Sequence, residues 1–220
     1  MSTDVFSKVS SYGYHDLRHQ LESEGKLPYF RVMQSPPTPV ALLDGEPRVN
    51  LGSSNYLGLS GDPRICAAAQ QATEQYGTSL NGSRFMNGTT PLHLDLESEV
   101  AHWLGEEDAL VFPSGYSTNL GVISALVGPD DAALCDAGDH ASILDGASLA
   151  AGRMLPFRHN RLDRLESLLG STQRVGGTLV IVDSVYSMQG DLSDIVGIAG
   201  LCRRHSARLL VDEAHACGVL

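Results

Sequence analysis

At 220 residues the chain can form one domain or one large lobe with a real core, since a chain of this size buries roughly 70% of its extended surface. Hydrophobic residues make up 42% and charged ones 19%, a globular balance that excludes fibrous, low-complexity and disordered classes. The 15 Lys and Arg against 26 Asp and Glu leave a net charge of -11, the opposite of what a phosphate backbone attracts, so the sequence predicts no nucleic-acid partner.

The N-terminus, MSTDVFSKVSS, has no long apolar core, and no other run approaches a membrane span, which predicts a cytoplasmic protein with no membrane span. Residues 1–50 read as an N-terminal arm. A helix from His15 to Glu24 is followed by Pro28, Pro36, Pro37 and Pro39, which keep the next stretch extended. The apolar runs VALL (40–43) and VNLG (49–52) read as a hairpin across the turn-like DGEP.

Residues 51–220 read as the first part of a major domain. A helix is predicted over 63–75, with proline in its first turn, and another over 91–104 with Leu92, Leu96, Val100, Trp103 and Leu104 on one stripe. Strands at 109–112, 132–136, 154–157, 178–183 and 208–212 then alternate with helices over 117–126, 140–151, 161–169 and 192–205. Short strands separated by helices imply an α/β fold with a mostly parallel sheet built from crossover units.

In such sheets ligands gather at the carboxyl ends of the strands. The polar segments FPSGYSTN, DAGDHAS, DSVYSMQGD and DEAHACG fall there. Ser114, Gly115 and Tyr116 lie between a strand and a helix, where backbone N–H groups hold a phosphate or simply make a turn. Asp212 ends a strand that reads as buried, and a buried carboxylate needs a donor; it is either a helix N-cap or the partner of a protonated ring nitrogen. His140 and His215 each stand just past a strand end and, taken singly, are packing residues as readily as functional ones. Taken together, a phosphate site, an imidazole that can stack, an acid for a pyridinium and a donor for a ring oxygen describe a pyridoxal phosphate pocket. Cys66, Cys135, Cys202 and Cys217 form no CxxC pair and have no His at ligand spacing, so the sequence predicts buried free thiols and no metal.

Six ordered motifs carry a resemblance: NYLGLS (55–60), GSRFMNGTTPLHLDLE (82–97), LVFPSGYSTN (110–119), DHASILDGASL (139–149), VYSMQGD (185–191) and VDEAHACGVL (211–220). In these the chain resembles the α-oxoamine synthases, enzymes of the aspartate-aminotransferase fold, collinearly from about residue 50 onward. The resemblance implies the PLP-dependent transferase fold type I. It implies an acyltransferase that condenses an amino acid with an acyl thioester, on CoA or an acyl carrier protein, with decarboxylation to an α-amino ketone. It also implies a homodimer with shared active sites.

Carried over by position, the resemblance gives the cofactor phosphate to Ser114, Gly115 and Tyr116 and ring stacking to His140. Asp212 pairs with the ring nitrogen, and His215 and Ser187 with the phenolic oxygen. His140, Asp212 and His215 are the implied catalytic residues. Asn55 falls near the amino-acid carboxylate, and His93 borders the pocket near the dimer interface. Many members have DGD where this chain has Gln189, Gly190 and Asp191, and many have glycine where this chain has Ala216, so the motifs do not single out one substrate.

The family's Schiff-base lysine lies beyond the Asp-x-x-His strand, whereas the lysines here are Lys8 and Lys26, in the arm, in surroundings that do not activate a lysine. Three readings follow: the N-terminal portion of a complete synthase, a lysine-lacking partner subunit, or another enzyme of the same fold. The intact phosphate and pyridinium residues favour the first, and HASILDG and GTTPLHLDLE, which are not general to the fold, disfavour the third. A chain ending at Leu220 is expected to leave part of the sheet's apolar surface uncovered, and so to aggregate or need a partner.

Overall fold

The computed structural model describes residue 4, residues 6–7, residues 13–172 and residues 176–220. The chain divides into two units, 1–77 and 78–220. Lys8 lies outside the described residues.

The first unit contains helix α1 (Tyr14–Ser23), a hairpin of β1 (Val40–Leu43) and β2 (Glu46–Val49), and helix α2 (Pro63–Tyr76). Helix α2 starts where its sequence dictates: the Asp62 side chain accepts from the Arg64 N–H at 2.8 Å, and Pro63 fills the first turn. The hairpin corrects the expectation of a second strand at 49–52. Asp44 and Gly45 both have positive φ, 50° and 83°, which makes a tight two-residue turn, so the return strand begins at Glu46 with Pro47 opposite Leu42.

The second unit opens with α3 (Pro91–Leu104). The expected strand at 109–112 does not form. The Val111 N–H donates instead to Glu97 Oε1 at 2.9 Å and the Ala109 N–H to its neighbour Asp108, so these backbone groups are satisfied without a ladder. Glu97 also accepts from both terminal guanidinium nitrogens of Arg84, at 2.8 and 3.0 Å, and its carboxyl is held down at about 2, first by those bonds and then by the Val111 N–H. The apolar stripe of α3 is not covered: Leu92, Leu96, Trp103 and Leu104 are exposed, and the buried residues of this helix are Glu97 and Ala101.

The remaining elements alternate as expected: α4 (Gly115–Leu126), β3 (Ala132–Asp136), α5 (Ala141–Leu149), β4 (Arg153–Phe157), α6 (Leu162–Thr172), β5 (Thr178–Asp183), α7 (Ile195–Arg204) and β6 (Arg208–Asp212). The strands form one parallel sheet in the order β4-β3-β5-β6. Successive side chains of β3 and β5 point to opposite faces. Ala132, Leu134, Val180 and Val182 pack with Leu165, Leu169, Ile198 and Leu201 of α6 and α7. Ala133, Cys135, Leu179 and Ile181 pack with Ile123 of α4, Val127 just past its end, and Ile143 and Ala147 of α5. Both faces are covered, which is why these two strands read as unbroken apolar runs.

Two expectations need correction. Strand β6 lies at the sheet edge and is only half-buried, with Arg208 exposed, so Asp212 is not enclosed as a central strand would enclose it. All four cysteines are free, but Cys66 and Cys217 are exposed, and only Cys135 and Cys202 are the buried thiols expected.

Candidate functional site

From β3 the chain crosses to β4 on one side and then returns to β5 on the other. Loops leaving β3 and β5 therefore diverge, and a crevice opens between the strand ends. The ladder between β3 and β5 ends at Cys135 and Ile181. Past it, Asp139 supplies what the ladder no longer can, its carboxylate accepting from the Asp136 N–H at 2.8 Å and the Asp183 N–H at 3.0 Å. Burial raises this carboxyl to about 8, against the pull of those two N–H groups.

In this crevice lies a cleft of about 140 Å³, lined by Gly115, Tyr116, Asn119, His140, Ser142, Asp183, Ser187, Asp212, Ala214 and His215. On one wall, Ser114 caps α4 through a 3.1 Å bond from the Ser117 N–H, leaving the first-turn N–H groups of Gly115 and Tyr116 without partners inside the helix. The Tyr116 hydroxyl donates to Asp145, which raises its pKa. His140 caps α5 from the end of the β3 loop. Its Nδ1 lies 2.7 Å from Ser142 Oγ, and its backbone N–H donates to Asp183 Oδ2 at 2.7 Å.

Asp212 is fixed from three directions. Its Oδ2 accepts from Asn119 Nδ2 at 2.8 Å, and its Oδ1 accepts from the Ala214 N–H at 2.9 Å. Its carbonyl accepts both the N–H and the hydroxyl of Ser184, at 2.9 and 3.0 Å. Both of these donors to its carboxylate are neutral. Asp183 stands beside it in register, buried to 6% exposure, and is raised first by burial and further by the Asp212 charge. Two adjacent carboxylates and no Lys or Arg among the lining residues make a place for a cation that the ligand itself brings. The α4 N–H groups, at the other wall, suit an anion. A planar ring carrying an anionic substituent and a protonated nitrogen matches this donor set, and the imidazoles of His140 and His215 line the space for its face and its remaining polar group.

Of the residues singled out in the sequence, Gly115, Tyr116, His140, Ser187, Asp212 and His215 come together around the cleft. Ser114 stands just behind, as the helix cap. His93 is not among the lining residues; its Nδ1 accepts the Thr90 N–H at 3.2 Å and lies 2.8 Å from Thr90 Oγ1, at the start of α3. Asn55 belongs to the first unit, where its Nδ2 donates to the Pro37 carbonyl at 3.1 Å and its Oδ1 accepts from the Ser60 N–H at 3.2 Å. Lys26, also in the first unit, pairs with Glu24 at 2.9 Å on the surface.

Asn119, Ser142 and Asp183 were missed by sequence reasoning. The signals were present: Asn119 is an amide on the apolar stripe of α4, one turn before Ile123, and Asp183 ends its strand as Asp136 and Asp212 end theirs.

The profile of the aminotransferase class I and II family matches residues 46–220. A serine palmitoyltransferase of Sphingobacterium spiritivorum is 38% identical over 207 residues, covering 94% of this chain and 52% of that protein. An 8-amino-7-oxononanoate synthase of Anaeromyxobacter sp. (strain Fw109-5) is 44% identical over 200 residues, 91% of this chain and 50% of that one. A solved serine palmitoyltransferase variant from S. paucimobilis, with a bound PLP-myriocin aldimine, superposes with a TM-score of 0.87 at 36% identity, over 96% of this chain and 53% of that one. The chain thus spans about half the length of the curated relatives it matches, and its fold is the PLP-dependent transferase fold type I expected from the motifs. The chain belongs to the aminotransferase class I and II family, among its α-oxoamine synthases.

Proposed function

We propose that the cleft holds pyridoxal 5'-phosphate and that the protein condenses an amino acid with an acyl thioester, with decarboxylation, to an α-amino ketone. The observation that carries this is the Asp212 carboxylate, held by Asn119 and the Ala214 N–H beside a cleft with no Lys or Arg among its lining residues. When bound, the cofactor supplies an electron sink for negative charge developing at the amino-acid α-carbon.

The chain's own residues then have these roles. Asp212 holds a proton on the ring nitrogen, and Asn119 keeps the carboxylate turned toward it. Gly115 and Tyr116 offer N–H groups to the phosphate, with Ser114 fixing the helix end. His140 covers one face of the ring, its backbone anchored by Asp183. His215 and Ser187 address the phenolic oxygen. Asn55 and His93 are proposed from the motif positions alone, the first for the substrate carboxylate and the second for the pocket border. A homodimer is proposed on the same ground. The covalent lysine is proposed to come from elsewhere in the polypeptide or from a lysine-bearing partner subunit, since Lys26 is paired on the surface.

The test supplies the full-length gene product with pyridoxal phosphate, a long-chain acyl-CoA and glycine, alanine or serine in turn. Free thiol and carbon dioxide released in equal amounts with one amino acid are expected. Thiol release that needs a second subunit supports the lysine-lacking partner reading, and no release with any pair contradicts the proposal.

A further inference from the structure

A second group of ionisable residues sits beside the cleft. His159, in the loop after β4, has its Nδ1 2.7 Å from Asp136 Oδ1 at the end of β3 and its Nε2 3.1 Å from Asp191 Oδ2. Asp191 closes the turn 186–191 that carries Ser187: the Gly190 N–H donates to the Tyr186 carbonyl at 2.7 Å, and the Tyr186 N–H to the Asp191 carbonyl at 3.0 Å. The imidazole is seated in a built socket. Its ring meets the buried Tyr186 ring edge-on, centroids 4.4 Å apart, and a Cβ on Gly138 would stand 2.6 Å from its Nδ1, so only glycine leaves room for the ring.

A carboxylate only accepts hydrogen bonds, and a neutral imidazole has a single N–H to give. Satisfying Asp136 and Asp191 together therefore requires both ring nitrogens to carry protons. We propose that His159 is a positioning residue: as an imidazolium it latches the Ser187 loop to the end of β3, and its deprotonation loosens that wall of the cleft.

The groups facing His159 are Asp136 from β3, and Asp191 and Tyr186 from the loop, with Asp139 behind Tyr186. Burial alone would lower the imidazole pKa, but its bonds to the two aspartates and their charges carry it above the ordinary value. A raised pKa means that the latch is complete below the ordinary histidine value of about 6.5 and is lost as pH rises through the folded value. Asp136 is the buried anchor, its side chain 1% exposed, while Asp191 is 46% exposed, so the bond released is the one to the loop. Asn160 donates to Asp191 and to the Leu192 carbonyl at 3.0 and 3.1 Å and supplies the part of the hold that does not titrate.

The proposal rests on the cofactor reading only for the consequence at Ser187; the latch itself is tested without cofactor. Amide exchange of Tyr186 and Gly190 in the full-length protein is followed from about pH 6 to about pH 9, as protection factors, with Val180 and Ile181 of β5 as internal controls. The expected result is about a tenfold loss of loop protection across this range with the controls steady. Asp191→Asn, which can either give or accept a hydrogen bond, flattens the pH dependence without unfolding the loop. His159→Gln leaves the loop weakly protected at every pH. Equal, pH-independent protection in the wild type, or an unchanged pH profile in Asp191→Asn, overturns the proposal. Separate dialysis with pyridoxal phosphate shows whether the cofactor reading stands: a pH-sensitive loop in a protein that binds no cofactor sinks that reading and leaves the latch intact.

Discussion

Asn119 Nδ2 lies 2.8 Å from Asp212 Oδ2 and 2.9 Å from Ser142 Oγ, so one amide in α4 ties the end of β6 to the first turn of α5. Three of the elements that wall the cleft share this side chain, which is buried to 6% exposure. Replacing it leaves a partly buried carboxylate short of a donor. Hydrogen bonds to charged groups contribute about 1.5–3 kcal/mol. Asn119→Ala is expected to weaken pyridoxal phosphate retention by about tenfold or more, measured by dialysis, with a lower melting temperature.

Gly146 sits where α5 crosses α4. A Cβ there would stand 2.9 Å from the Asn119 carbonyl oxygen and 3.2 Å from Ile123 Cδ1. Gly146→Ala, although favourable for helix propensity, is expected to push the helices apart and destabilise the protein by about 1–3 kcal/mol. A thermal melt measures the cost, and a melting temperature at or above that of the wild type would contradict this close packing.

Asp139 replaces the missing rungs between β3 and β5, and its carboxyl titrates at about 8 in the folded chain. Because the folded value is raised, its contribution to stability is complete below the ordinary value of 3.8 and falls away as pH rises to about 8. Asp139→Asn keeps one acceptor but turns an NH₂ group toward a backbone N–H, an expected loss of about 1–3 kcal/mol. Denaturant titrations should show the stability difference between wild type and variant narrowing as pH rises through this window.

Glu97 behaves in the opposite sense. Its carboxyl is held at about 2 by Arg84 and the Val111 N–H, so its stabilising effect is full above 4.5 and disappears as pH falls through about 2. Glu97→Gln is expected to lower the melting temperature at neutral pH, with the gap to wild type closing in acid. A constant gap would show that this cluster does not titrate as a unit.

The parallel strands were legible because both faces of β3 and β5 are covered, giving AALCD and TLVIVD their unbroken apolar character. The segment 109–112 looks just as strand-like, yet its N–H groups go to Glu97 and Asp108; side-chain competition for the backbone leaves no mark in a periodicity. In the cleft, residues at strand ends and loop starts, such as His140 and Asp212, were readable from position alone. Asn119 was not, because its importance comes from its hydrogen bond to Asp212 at the end of β6, 93 residues away in sequence. Asp183 was within reach, since it ends its strand as Asp212 does, and the two stand in register.

The central claim is that Asp212 holds a proton on the ring nitrogen of pyridoxal phosphate, and nitrogen-15 NMR of the cofactor labelled at that atom tests it most directly. With the full-length wild-type protein, a protonated pyridine nitrogen resonance is expected. Asp212→Asn should move it to the unprotonated position, with a lower melting temperature as well, because the new NH₂ must face either Asn119 Nδ2 or the Ala214 N–H. An unprotonated nitrogen in the wild type, or a spectrum indifferent to the substitution, would contradict the account.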